Sequence, residues 1–138
     1  MTHRATPTFE LSFRAPASDV DELGHVSNIA VVRYVQDAAK AHSEAVGLDL
    51  PAYQARGVVF VVRRHRIEYL RSIMGGDEIV AKTWIETFRG ATADRVTTIE
   101  DTRGDALIRA ETLWVLVSTE SGRPRRVSAE IVSRFSGQ

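Results

Sequence analysis

Residues 28–46 form the one long segment with a helical repeat, and whatever else the chain makes must cover that helix. Val31, Val35, Ala38, His42 and Ala45 recur at helical spacing, while Arg33, Gln36, Asp37, Lys40 and Glu44 make a polar stripe at matching offsets. Ile29, Ala30, Val32, Ala39 and Ala41 add apolar surface beyond the first stripe, which predicts a largely buried helix. Ser27 or Asn28 can cap its start, because a short polar side chain accepts an orphan amide hydrogen bond. Gly47 supplies the left-handed stop. At 1.5 Å per residue such a helix is about 28 Å long.

The cover has to be β. Phe9, Leu11 and Phe13 alternate with Thr8, Glu10 and Ser12, the period of a half-buried strand. Residues 58–70, 78–87, 93–100 and 107–118 are rich in β-branched side chains. Gly75-Gly76-Asp77 and Gly90 separate successive strands, and Arg103-Gly104-Asp105 reads as a hairpin turn rather than an adhesion motif. Leu113 to Val117 is apolar on both faces, which predicts a central strand. Ser121-Gly122-Arg123-Pro124 is a turn, and a short helix is expected around residues 128–135. With 138 residues and no repeat or linker, residues 1–138 are expected to form a single domain of the α+β class. Its architecture would be an antiparallel β-sheet wrapped around one long central helix. Such a sheet has edges that need cover, and dimerisation provides it.

Composition narrows the function. Lysine plus arginine (18) equals aspartate plus glutamate (18), which argues against nucleic acid as a partner. There is no cysteine, so disulfides, thiolate ligands and cysteine nucleophiles are excluded. Four histidines without close His–Glu pairing give no metal-site spacing, and no metal or cofactor is expected. His42 and His65 are expected to be structural or exposed, and His3 to lie in a frayed terminus. The N-terminus lacks the apolar stretch of a signal peptide, and no segment approaches the ~20 apolar residues of a membrane span. A cytoplasmic protein with no membrane partner is the expectation.

The segment from Asp19 to Asn28 joins the first strand to the helix and carries the chemistry. A helix N-terminus presents free amides and the positive end of the dipole, where a developing oxyanion can be held. Asp21 and His25 stand just before it, offering a base or nucleophile and an orienting group. An acidic loop with one histidine is also a common helix entry. Asp19 is read as a hydrogen-bonding residue of the loop, and Asp37 as an ion-pair partner of Arg33 or Lys40.

Asp21 to Asn28, followed by Tyr34, resembles the D-x-x-x-H-V-N-N loop and helix of the hotdog thioesterases, and within them the 4-hydroxybenzoyl-CoA thioesterase-like group. Arg66-Ile67-Glu68-Tyr69-Leu70-Arg71 with Gly76-Asp77 resembles that group's second strand and turn. Thr112 to Val117, followed by Gly122 to Arg126, resembles its last strand and basic tail. The resemblance runs from about residue 8 to 130. It implies a hotdog fold and a homodimer or homotetramer with sites between subunits. It also implies hydrolysis of an acyl-CoA thioester, with catalytic Asp21 and His25. Asn28, Arg123, Arg125 and Arg126 are the expected substrate-binding residues, the arginines because guanidinium pairs well with CoA phosphates. The chain departs from the plant acyl-carrier-protein thioesterases, which carry asparagine at the position of Leu23 and glutamate at that of Ser72. Some hotdog thioesterases use a helix carboxylate, for which Asp37 is the nearest candidate. A non-catalytic acyl-CoA-binding module and a hotdog dehydratase or hydratase are the alternative functions.

Overall fold

In the computed structural model, which describes residues 4–137, the helical segment is α1 (Asn28–Ala45). His3 lies outside the described residues. Ser27 is the cap: its Oγ accepts from Ala30 N at 3.2 Å, leaving Asn28 as the first residue inside the helix. A short helix, α2 (Leu50–Ala55), follows, then the strands β2 (Val58–Tyr69), β3 (Glu78–Arg89), β4 (Thr92–Asp101) and β5 (Ala106–Ser118). β1 (Phe9–Arg14) precedes α1, and α3 (Ala129–Ser136) closes the chain. The sheet order is β1-β3-β4-β5-β2, and every pairing is antiparallel. One sheet curling about one long helix is the expected hotdog arrangement. β5 is an interior strand as anticipated, although β4 holds the middle place. Arg103-Gly104-Asp105 is the β4–β5 hairpin turn, where Asp101 Oδ1 accepts from the backbone of Arg103 (2.9 Å) and Asp105 (3.0 Å).

Two expectations need correction. α2 was not anticipated: six residues are too few for a periodic signal, and only its start is legible, where Asp49 caps Ala52 N (2.9 Å) and Pro51 sits in the first turn. α1 is buried along one face rather than all round. Ala30, Val31, Tyr34, Val35, Ala38, Ala39 and His42 pack inward, while Ile29 is 83% exposed. A single sheet covers one side of a helix, and the other side is left open among the described residues. No helix among them is long and apolar enough to cross a membrane.

The interior is divided. Ala30, Val31, Tyr34, Ile79, Ile99 and Ile108 belong to an apolar cluster under the first half of α1. Leu48, Tyr53, Ile85, Leu116, Ile131 and Phe135 belong to a second beyond its far end. Between them a polar belt crosses the strands on the helix-facing side: Thr83 on β3, Arg95 and Thr97 on β4, and Thr112 on β5, all buried, with His42 of α1 above. Thr83 Oγ1 bonds Thr97 Oγ1 (3.0 Å), and Arg95 Nη1 donates to Thr83 Oγ1 (3.0 Å) and to His42 Nδ1 (2.9 Å). His65 Nδ1 extends the belt through Thr112 Oγ1 (2.9 Å) to the edge strand β2.

Candidate active site

The entry to α1 is shaped by its own backbone. Asp21 N donates to His25 O (2.7 Å) and Gly24 N to Asp21 O (3.1 Å), with Gly24 in the left-handed region at φ +81°. Val26 N donates to Ile73 O (2.7 Å), which ties the loop to the segment after β2. That approach is close: a Cβ on Gly75 would stand 2.5 Å from Val20 Cγ2, so the segment needs glycine there.

Asp21 points outward. Its Oδ1 accepts from the amides of Leu23 (2.9 Å) and His25 (3.2 Å), and Oδ2 takes no partner among the described residues. One oxygen is thereby fixed and the other is free. The His25 ring is half-buried, and its Nδ1 lies 3.4 Å from Ser72 Oγ. Ser72 occupies the position where the plant enzymes carry glutamate, and the fold brings it to the loop histidine. The amides of Asn28 and Ile29 have no acceptor among the described residues, as the first turn of a helix requires. Leu23 (76% exposed), Ile29, Met74 and Leu70 form an apolar fringe on the segments around the loop.

Asp19 behaves differently. It is expected in the loop's own hydrogen bonding, and its backbone does take part, with Ser27 N donating to Asp19 O (2.9 Å). Its carboxylate turns inward, 9% exposed, and Oδ2 accepts from the Tyr34 hydroxyl (2.6 Å) and from Arg33. The Tyr34 hydrogen bond and then Arg33 hold the Asp19 carboxyl below its ordinary range. Burial first, and then Asp19, raise the Tyr34 phenol, so the hydroxyl is the donor. Arg33 is thus taken by Asp19. The ion pair expected between Asp37 and Arg33 or Lys40 is not formed among the described residues, and Asp37 stays exposed on the polar stripe.

Tyr34→Phe is expected to cost about 1 kcal/mol in urea unfolding, since a part-buried hydrogen bond to a charged acceptor is lost. The sign of its pH dependence follows from Asp19. A carboxyl with a lowered folded-state pKa contributes stability that is fully present above the unfolded value near 4 and lost as pH falls through the folded value. The gap between the native protein and the variant should therefore hold from pH 7 to pH 5 and narrow below about pH 4. A gap that widens in acid would contradict the assignment.

Arg123, Arg125 and Arg126 lie elsewhere. They are exposed in the segment after β5, which folds back so that Arg125 N donates to Leu116 O (2.8 Å) and Val127 N to Gly90 O (2.9 Å). The loop of Asp21 belongs to the opposite end of the sheet, where Leu70 N donates to Leu107 O (2.9 Å). From Leu107 to Leu116 the strand runs about 30 Å. Asp21, His25 and Asn28 are together within one chain, and the three arginines are not with them. Sequence reasoning missed the buried belt around Arg95. Arg95 stands between Asp94 and Val96 in a strand, and only strand alternation, followed residue by residue, would have turned it inward.

A family model described as the acyl-ACP thioesterase N-terminal domain matches residues 6–135. No curated protein matches the chain by sequence. Among solved structures, a Lactobacillus plantarum protein described as an oleoyl thioesterase superposes with a TM-score of 0.91 at 21% identity, over 94% of this chain and 51% of its own. A 1,4-dihydroxy-2-naphthoyl-CoA thioesterase from Synechocystis superposes with 0.85 at 15% identity, over 94% of this chain and 96% of its own. An acyl-ACP thioesterase from Bacteroides thetaiotaomicron VPI-5482 gives 0.83 at 19% identity, over 91% and 52%. This chain therefore spans about half the length of the first and third of these proteins. At such identities the likeness is one of fold.

Proposed function

The chain belongs to the acyl-ACP thioesterase family, and from that premise we propose that it hydrolyses an acyl-CoA thioester to the free acid and CoA. Residues 1–138 act as one hotdog domain in this reading. The carrier is CoA, as it is for the Synechocystis protein's named substrate. The observation that carries the proposal is the α1 entry loop, which holds between Asp21 and Ile29 a carboxylate with one oxygen fixed and one free, an imidazole, and the open amides of a helix start.

In the general-base form, the free oxygen of Asp21 takes a proton from water as the water oxygen bonds to the thioester carbonyl carbon. The oxyanion lies toward the amides of Asn28 and Ile29. The C–S bond then breaks, and the sulfur leaves with the proton. In the nucleophilic form, Asp21 itself attacks the carbonyl carbon and CoA leaves as the thiolate; water then cleaves the resulting anhydride, releasing the acid and restoring the Asp21 carboxylate, and a proton from that water goes to the thiolate. His25 orients the reacting groups in either form. Thioesters are activated acyl donors, so no cofactor is needed.

Arg123, Arg125 and Arg126 are proposed to meet the CoA phosphates of a site on the neighbouring subunit. β2 is a twelve-residue edge strand running between the two ends of the sheet. Antiparallel pairing of β2 with its copy about a two-fold axis would bring the loop end of one chain to the arginine end of the other. A homodimer is the smallest assembly that does this, and a homotetramer would repeat it.

A panel of acyl-CoAs of varied chain length and aromaticity, read with a thiol-trapping dye, tests the function. Release of free CoA with at least one member is expected. Tight binding without thiol release would make the chain a non-catalytic acyl-CoA-binding module. Change at an acyl double bond without release would make it a dehydratase or hydratase.

A further inference from the structure

Arg95 is 5% exposed and has no carboxylate within ion-pair distance among the described residues. Its two recorded partners, His42 Nδ1 and Thr83 Oγ1, are neutral acceptors, and both take Nη1. Burial, and then the nearby guanidinium, push His42 down to about 4, so its imidazole is uncharged at neutral pH. Burial lowers Arg95 to about 10, which leaves it protonated there. A buried charge without a counter-ion is among the costliest arrangements in a protein interior.

The guanidinium borders a cleft of about 290 Å³ beside the far half of α1. Leu48, Tyr53, Phe60, Ile85, Trp114 and Phe135 line it. Ala93, two residues before Arg95 on β4 and so on the same face, also lines it. Arg95 Nε and Nη2 have no protein acceptor among the described residues, yet neither is among the fully enclosed polar atoms without a partner. Each therefore keeps a small accessible surface. The arrangement is a largely apolar cleft, with Lys40, Glu44 and Asp49 at exposed positions along it and a buried arginine without a counter-ion in its lining.

We propose that this cleft binds an apolar carboxylate: its two oxygens accept from Nε and Nη2 of Arg95, and its alkyl or aryl stem lies against the aromatic and aliphatic wall. A planar monoanion matches the guanidinium fork bidentately. Arg95 is the one buried charge of the cleft, since Lys40, Glu44 and Asp49 border it from exposed positions; a single negative charge suits it better than a phosphate dianion, and a neutral alcohol would leave the arginine uncompensated. The level of Arg95 on α1 is marked by His42, fourteen residues beyond Asn28, or about 21 Å along the helix. Within one chain the cleft is therefore separate from the Asp21 loop. The carboxylate has two possible sources, a free acid or the ω-carboxyl of an acyl group carried on a thioester.

Isothermal titration of the full chain with octanoate, octan-1-ol and octylamine tests the proposal. Octanoate is expected to bind at least about tenfold more tightly than octanol, with octylamine weaker than both. Arg95→Met, uncharged and close in length, should weaken octanoate at least about tenfold and leave octanol within about threefold. Arg95→Lys should restore part of the preference. The ranking within the native protein decides the matter even if the variants fold poorly. Equal affinity for octanoate and octanol, or no octanoate binding at millimolar concentration, overturns the proposal, and so does a folded Arg95→Met that binds octanoate as before.

The source is read separately. A higher kcat/KM for suberoyl-CoA than for octanoyl-CoA, reversed in Arg95→Met, assigns the carboxylate to the acyl group. Equal turnover of the two, with octanoate still bound, assigns it to a free acid. Titration needs no turnover, so a protein that binds octanoate and hydrolyses nothing would refute the hydrolase reading and leave this one standing.

Discussion

Replacing Asp21 by asparagine is expected to lower turnover at least ~10²-fold, the low end for loss of a general base. The substitution is a sharp one because of the loop's geometry. Asparagine keeps an Oδ1 acceptor for the amides of Leu23 and His25, so the loop keeps its shape. What changes is the free oxygen, which becomes an amide nitrogen with no proton affinity to offer. KM should move little, since the lost interaction belongs to the transition state. His25→Ala should cost less, because an orienting group is removed and the reacting one is left. Asp19→Asn should cost less still, because that carboxylate is committed to Tyr34 and Arg33. Steady-state kinetics with thiol detection, alongside circular dichroism of each variant, provides the comparison. Near-native turnover in folded Asp21→Asn would end the assignment and make Asp37 the next carboxylate to examine.

The second large effect concerns the roughly 30 Å of strand between the Asp21 loop and the basic tail. If both serve one site, they come from different subunits. Asp21→Asn and the triple variant Arg123→Ala, Arg125→Ala, Arg126→Ala should each be impaired alone, the latter by about tenfold in kcat/KM if each exposed phosphate contact contributes about half a kcal/mol. After subunit exchange, half the dimers are mixed, and each mixed dimer holds one intact site. Activity should then recover to about a quarter of native, well above the average of the two parents. Recovery no higher than that average would place the loop and the arginines in separate functions. A stable monomer in light scattering at micromolar concentration would remove the intersubunit model altogether.

Much of this was legible in the sequence, for reasons that differ from element to element. α1 announced itself because Val31, Val35, Ala38 and His42 keep helical spacing over several turns, and the buried residues follow that stripe. The strands were readable because β-branched runs were punctuated by glycines that the turns require. α2 was not, since six residues cannot display a period. The grouping of Asp21, His25 and Asn28 at the helix entry was legible because they are close in sequence, and proximity along a loop carries over into space. The inward turn of Asp19 depends on Tyr34 and Arg33, fifteen and fourteen residues away, and the pairing of Arg95 with His42 spans fifty-three. Contacts of that kind arise from how the sheet curls around the helix, which no local pattern encodes.

The polar belt has a further consequence for how the sheet finds its alignment. Alternation of apolar and polar residues penalises a slip of one residue, which would turn Arg95 and Thr97 outward and bring Asp94 and Thr98 inside. It is nearly blind to a slip of two, which preserves the faces. The belt is not blind to it. A two-residue shift of β4 would carry the guanidinium about 7 Å along the strand, away from His42 and Thr83, and would part the Thr83 and Thr97 hydroxyls that now meet at 3.0 Å. Buried donors would then face aliphatic carbon. The belt thus acts as an alignment key between α1 and the strands, penalising the misregistered sheets that an all-apolar interior would tolerate.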